Sequence, residues 1–461
     1  MAIWRSTELE MLLGGPLDET GLTAASVQRL VDAAARESEV LELKRDPYPG
    51  APRDRQLPWT AEQEFAKDVT ALANHAGGLL LIGVVEQDGA ASEAVPSVSD
   101  PDRDSQRLRQ ALVNHAQPVP RTAFVPIPAD GGHHLAVIIP PSPLAPHAVT
   151  GGRGDDRRPL HWYVRDGAHA RALAESEVAE RYRARFRGAD DRAARRSRVA
   201  AEGREALGRS DGLWLYTATV PQAPVPATLD AEAVRDAEWW RSEYRFASPL
   251  GRFLDANGPP IAGPGRTTFT GRPGRFYDDE ADETDPRDGY VELHADGSAF
   301  AATPVELNTG DGQGVGVVAL VDDMTCLADA CLSWTLRLAG SWGTADMVSG
   351  LRDGQADDGA LSRPAELVDY RHGQSSRLRR TRSLRRPPTS VVSVDLAGCD
   401  TVRGRLVTAA SAAGSVLQWF GIPEPPQIAA DGTIRTNEWG STQRARDVER
   451  WADAHGISHT A

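Results

Sequence analysis

Apolar and polar residues alternate in two different rhythms along the first 190 positions. Thr23 precedes a run in which Val27, Leu30 and Val31 recur at helical spacing, so residues 1–36 are predicted to be helical. The stretch Val40-Leu41-Glu42-Leu43-Lys44 then alternates. It reads as a half-buried strand with Leu41 and Leu43 on one face and Glu42 and Lys44 on the other, solvated one. A loop rich in proline and charge follows over 45–58. Thr60-Ala61-Glu62-Gln63 is a capping box, and Phe65, Val69 and Leu72 give the helix behind it an apolar stripe that Gly77-Gly78 ends. The unbroken run Leu79-Leu80-Leu81-Ile82-Gly83-Val84-Val85 predicts a strand buried on both faces. A helix over 103–115, strands over 134–139 and 161–165 and a closing helix over 175–186 complete an α/β unit.

The second half is patterned differently. Leu213-Trp214-Leu215-Tyr216-Thr217-Ala218 and Tyr290-Val291-Glu292-Leu293 read as strands, and helical spacing returns at 316–340, 400–419 and 441–455. Eight of the eleven tryptophans lie here, which suits a core better than a ligand cage. The prediction is therefore an α/β chain with three parts: residues 1–187, an arginine- and alanine-rich connector over 188–210, and a mixed α+β domain over 211–461 that contains no internal repeat.

At 461 residues the chain is long enough for two or three cores. No apolar run approaches the roughly 20 residues of a membrane helix, and no signal-peptide core follows the first residues, so a soluble, cytoplasmic protein of bacterial type is expected. Cys326, Cys331 and Cys399 fit no zinc spacing and read as buried free thiols. A net charge of −14 argues against a protein that coats nucleic acid indiscriminately, because such binding relies on basic surface. The charge is nevertheless uneven. Nine arginines face three acids over 181–204, seven arginines and no acid lie in 371–386, and six carboxylates crowd 278–285, a run that fits no calcium loop and reads as surface. Of 51 basic residues only Lys44 and Lys67 are lysine, as codon bias in a GC-rich genome would leave them. Either they survive by chance, or they stand where a planar guanidinium cannot replace a compact ammonium.

Five short motifs occur in order: Glu37-Ser38-Glu39-Val40-Leu41-Glu42-Leu43-Lys44, Ala71-Leu72-Ala73-Asn74-His75-Ala76-Gly77-Gly78, Leu81-Ile82-Gly83-Val84, Pro146-His147, and Tyr163-Val164-Arg165-Asp166-Gly167. Together, over about 160 residues, they resemble the Schlafen AlbA-type domain, which implies a mixed sheet with flanking helices. The resemblance implies two quite different activities. Eukaryotic members of the family are metal-dependent endoribonucleases acting on transfer and ribosomal RNA, whereas many bacterial members are described as DNA-binding or transcriptional regulators. An older description as a divergent ATPase finds no support in a phosphate loop, since no Gly-x-x-x-x-Gly-Lys-Ser/Thr is present. In the nuclease branch, matching puts Glu37 and Glu42 at the first two of three acidic positions, with Glu86 or Asp88 as the third.

The chemistry of such a trio is coherent by itself. Three converging carboxylates repel unless protonated or neutralised by a hard cation, for which magnesium or manganese is suited. That metal would polarise a phosphodiester and activate water, with Lys44 steadying the phosphate. The plainer reading is an ion pair between Glu42 and Lys44 on a solvated face with Glu86 in a turn. Asn74, Arg165, Arg181 and Arg185 are candidate nucleic-acid contacts. The plainer readings are that Asn74 satisfies backbone groups at a helix end, that Arg165 pairs within a turn, and that Arg181 to Arg187, spaced by two, form a solvated helix face; His147 reads as structural, and His133 and His134 lack partners at zinc-ligand spacing. Two functions stand open: a metal-dependent RNA endonuclease of the transfer-RNA class in stress or phage defence, or a catalytically inert DNA-binding regulator whose second half senses a ligand or partner. A scaffold that only forms homo-oligomers is a third.

Overall fold

The computed structural model describes residues 4, 6–48, 60–151, 159–207, 212–223, 252–256, 261–274, 289–305, 307–308, 313–354, 361–362, 364–371, 374–377, 384–386, 389–439 and 442–460. The acidic run 278–285 lies outside these residues, as do 49–58 of the expected loop and part of the arginine run 371–386. Two compact units divide the chain, Met1–Asp191 and Arg192–Ala461.

In the first unit, helices α1 (Thr7–Leu13) and α2 (Ala24–Asp32) lead in, α2 starting at a capping box of Thr23 and Ser26. Strand β1 (Leu41–Lys44) is followed by α3 (Ala61–Asn74), β2 (Gly78–Ile82), a hairpin of β3 (Val84–Gln87) and β4 (Ala90–Ala94), and α4 (Pro101–His115). Next come β5 (Ala116–Gln117), β6 (Ala123–Ala129), β7 (Gly132–Ile139), β8 (Ala148–Thr150), β9 (Leu160–Asp166) and β10 (His169–Ala172), and then α5 (Glu175–Ala206), which from Arg192 on belongs to the second unit. One sheet has the order β1-β2-β7-β6, with β1 parallel to β2 and the other pairs antiparallel, and a second has the order β10-β9-β8-β5. The fold is thus mixed α/β, as expected. Its core gathers Phe65, Val69 and Leu72 of α3 with Leu80, Ile82, Val137 and Ile139 of the first sheet.

Three details differ from the pattern-based expectation. The apolar run 79–85 is two strands, because Gly83 turns the chain at φ +102° and its carbonyl accepts from the amide of Val95 and lies 3.0 Å from His134 Nδ1. A side chain at Gly83 would collide with His134 and the Val95 carbonyl. Strand β1 is buried on both faces, not one, and Glu42 is 4% exposed. Finally, residues 188–206 are no separate connector. They continue α5, whose alanine-rich sequence contains no proline to stop it.

In the second unit, a largely antiparallel sheet has the order β12-β14-β15-β16-β11-β19-β22, with β13 paired to β14. Its strands are β11 (Leu213–Pro221), β12 (Arg252–Ala256), β13 (Ile261–Gly263), β14 (Arg266–Gly274), β15 (Gly289–His294), β16 (Ala299–Pro304), β19 (Thr344–Asp353) and β22 (Ser390–Asp395). The short strands β17 (Leu307–Asn308), β18 (Gln313–Gly316), β20 (Ala365–Arg371) and β21 (Gln374–Arg377) make a smaller sheet. Helices Val317–Ser333 and Val402–Leu417 pack into the main core with Trp334 and Trp439, so these tryptophans fill space. The second half is α+β, and Cys326, Cys331 and Cys399 are buried free thiols. Among the described residues no helix is long and apolar enough to cross a membrane.

Candidate functional site

Strand β1 delivers Glu42 into the unit, because Leu41 and Leu43 are anchored in apolar surroundings and pairing with β2 sets Glu42 opposite Leu80. Both of its carboxylate oxygens are occupied. One meets the Lys44 ammonium, and the other meets the guanidinium of Arg165 from β9, in the second sheet. Arg165 is 3% exposed and meets no other carboxylate among the described residues. Its remaining donors go to backbone, with Nη2 2.8 Å from the Ser38 carbonyl and 3.4 Å from that of Leu41. A buried carboxylate and a buried guanidinium thus satisfy each other across two sheets, which is the condition under which either charge tolerates burial.

A second acid, absent from the sequence-based candidates, lies beside this pair. Asp68 of α3 is buried, accepts from the Tyr48 hydroxyl at 2.6 Å and lies 3.7 Å from Lys67 Nζ. Burial and the Glu42 carboxylate push its pKa up to about 6, against the pull of Lys44, Lys67 and the Tyr48 hydroxyl. Burial opposes the Lys44 charge, but Asp68, Glu42 and Glu37 together outweigh it and hold the ammonium above its ordinary value. Both lysines of the chain therefore converge on Asp68. The signal was present in the sequence: position 68 falls on the stripe of Phe65, Val69 and Leu72, where a carboxylate must find partners.

The other expected acids are engaged elsewhere. Glu37 accepts from the Leu43 amide at 3.0 Å, and its pKa is raised by partial burial, helped by the charges of Glu42 and Glu86. Glu86 is exposed and accepts from the Gly89 amide at 2.8 Å, bracing the β3–β4 turn. Asp88 is the residue of that turn with φ +54°. Among the described residues no three His, Cys, Asp or Glu side chains are grouped to hold a metal ion. The donor set gives the reason. Glu42 is already neutralised by two cations, so a divalent ion would have to displace Arg165 or Lys44 and leave it buried without a partner. As placed, these residues do not fit magnesium or manganese.

The four candidate contact residues fall into two kinds. Asn74 is buried; its Nδ2 donates to the carbonyls of His147 at 2.9 Å and Tyr163 at 2.8 Å, while its Oδ1 accepts from the His147 amide at 2.7 Å. Arg181 donates to the Asn74 carbonyl and so covers the C-terminal end of α3, where a cation is favoured. Asn74 and Arg165 are thus committed inside the protein, and the half-buried Arg181 is engaged at the end of α3. Arg185, half-buried on α5, has no ion-pair partner among the described residues. The His147 Nδ1 lies 2.6 Å from the Pro118 carbonyl, and burial lowers its pKa, which suits a neutral structural role.

The family model described as Schlafen, AlbA_2 matches residues 37–174, a span that opens on Glu37 and includes β1, α3 and β9. No curated protein matches the chain. Among solved structures, the N-terminal domain of an ATP-dependent DNA helicase RecG-related protein from Nitrosomonas europaea is similar at 21% identity and a TM-score of 0.21, over 26% of this chain and 74% of that one. The DIP2311 protein from Corynebacterium diphtheriae is similar at 19% identity and a TM-score of 0.23, over 50% of this chain and 37% of its own. Neither likeness bears on the site.

Replacing Glu42 by alanine is expected to cost about 3–5 kcal/mol, because Arg165 is left buried without its carboxylate. Hydrogen exchange at the amides of β1 and β9 in the intact chain measures this, and a loss under about 1 kcal/mol would contradict it. A second expectation concerns pH. With Asp68 near 6 when folded and about 3.9 when unfolded, the folded state holds the proton more tightly. The stability from this group is full below about pH 4 and is lost as pH rises through about 6. Relative to Asp68→Asn, the wild-type chain should therefore lose stability across that window in urea titrations, and parallel profiles would refute the assignment.

Proposed function

We propose, from the premise that residues 37–174 form a Schlafen AlbA_2 domain, that this chain binds nucleic acid and does not cut it through a metal at the acidic site. The observation that carries this reading is the closure of Glu42. Its two oxygens are engaged by Lys44 and Arg165, so the central acid acts as a strut between β1 and β9. Affinity on this reading comes from cations with exposed surface. Lys44 and Lys67 are partly exposed but already paired, with Glu42 and with Glu64 and Asp68, so a cation left open among the described residues is Arg185. An overall charge of −14 then confines binding to such local basic surface.

One observation favours the alternative, a metal-dependent RNA endonuclease. Glu37 lies near enough to Glu42 and Glu86 for their charges to raise its pKa, so the three acids share a neighbourhood. Against it stands the lack of ligand capacity in Glu42, which Lys44 and Arg165 have already taken up. The binding reading therefore has the stronger support, and the same geometry gives no basis for a transfer-RNA substrate or a defence role.

Purified chain incubated with total RNA and with duplex DNA, with and without manganese, separates these readings. Retarded complexes that dissociate as salt rises, with no manganese-dependent fragments, are expected. Manganese-dependent cleavage that disappears in a folded Glu37→Gln variant would establish the endonuclease instead. Absence of any complex would overturn nucleic-acid binding altogether.

A further inference from the structure

One face of α5 in the first unit is not explained by the packing of that unit. Phe186 is 65% exposed, and among the described large apolar side chains that stand in solvent it is the one aromatic ring. A single exposed apolar residue is ordinary. The neighbours of this one are not. Tyr182, half-buried, lies one helical turn earlier on the same face. Arg183 and Arg187 repeat that spacing along one flank, with side chains 68% and 66% exposed, and Arg185 occupies the other flank. The flanking arginines are only lightly engaged. Arg183 and Arg187 share the exposed carboxylate of Glu180, at 3.5 and 2.6 Å. Exposed pairs of this kind hold weakly and exchange readily for a phosphate.

We infer that this face binds single-stranded nucleic acid, with bases stacked on Phe186 and Tyr182 and backbone phosphates paired to Arg183, Arg185 and Arg187. The inference rests on the binding function proposed above and narrows it to a strand type. Aromatic rings interleaved with arginines supply the two things a single strand offers, π-faces and closely spaced negative charge. A duplex offers only the second, because its base faces are hidden in the stack. Tyr182 and Phe186 are about 6 Å apart along the helix, wider than the about 3.4 Å of stacked bases, so the bases seated on them are drawn apart. Asp190 and Asp191 follow on the next turn and repel phosphate, which limits the site to about two turns and a few nucleotides. Nothing in this recognition reads the ribose hydroxyl, so RNA and DNA single strands are bound alike.

The test is fluorescence anisotropy on the intact chain with labelled oligo(U), labelled oligo(dT) and a duplex of equal length. Phe186→Ala should weaken both single strands about tenfold and leave the duplex unchanged, while Phe186→Trp keeps wild-type affinity. Arg183→Ala combined with Arg187→Ala should weaken all three probes and flatten their salt dependence. Phe186 is exposed, so circular dichroism should show these variants folded as the wild type. Wild-type affinity of Phe186→Ala for both single strands overturns this inference and leaves the broader one standing, as would a change confined to self-association. A wild-type chain that binds none of the three probes removes both.

Discussion

Glu42 and Arg165 come from strands in different sheets, and neither has solvent to fall back on. Desolvating a carboxylate and a guanidinium costs several kcal/mol each, and their contact offsets that only if the remaining donors and acceptors are also satisfied. They are. Lys44 takes the second oxygen of Glu42, and the carbonyls of Ser38 and Leu41 take the rest of the guanidinium. Burial raises the pKa of Asp68, and the Glu42 carboxylate adds to the rise. Asp68 in turn requires Tyr48 and both lysines. Glu42, Arg165, Lys44, Asp68, Tyr48 and Lys67 thus form one network organised from a single buried pair.

That network has a functional consequence. An acid that must hold a structural arginine cannot at the same time present both oxygens to a metal, so the geometry favours binding over metal-assisted hydrolysis at this place. Binding then has to come from surface cations, and the helix α5 divides its arginines between two tasks. Arg181 closes the end of α3; Arg195 and Arg196, which belong to the second unit, pair there with Asp296 and Asp346; and Arg204 donates to the Ala200 carbonyl. Arg183, Arg185 and Arg187 are left on the surface beside an exposed ring.

Local patterning revealed much of this. The capping box at Thr60 and the apolar stripe of α3 placed that helix, and the motifs from Glu37 to Gly167 placed the domain. What periodicity misread was the second face of β1. Alternation makes Glu42 look as solvated as Lys44, and nothing within the strand reveals that Arg165, 123 positions later, covers Glu42. Asn74 shows the same limit, since its partners at His147 and Tyr163 are distant in sequence. Asp68 is the opposite case. Its place on an apolar stripe is visible in the sequence, and a buried carboxylate there requires partners such as the adjacent Lys67.

The claim that Glu42 is a strut to Arg165 is tested most directly by a double-mutant cycle on that pair in the intact chain. Glu42→Gln, Arg165→Gln and the double variant would be compared by hydrogen exchange at the β1 and β9 amides. Each single substitution strands a buried charge, so the double variant should be less damaged than the sum of the two, with a coupling of about 2 kcal/mol or more. Losses that add to within about 0.5 kcal/mol would show that the two side chains act independently, and would return Glu42 to the pool of candidate metal ligands.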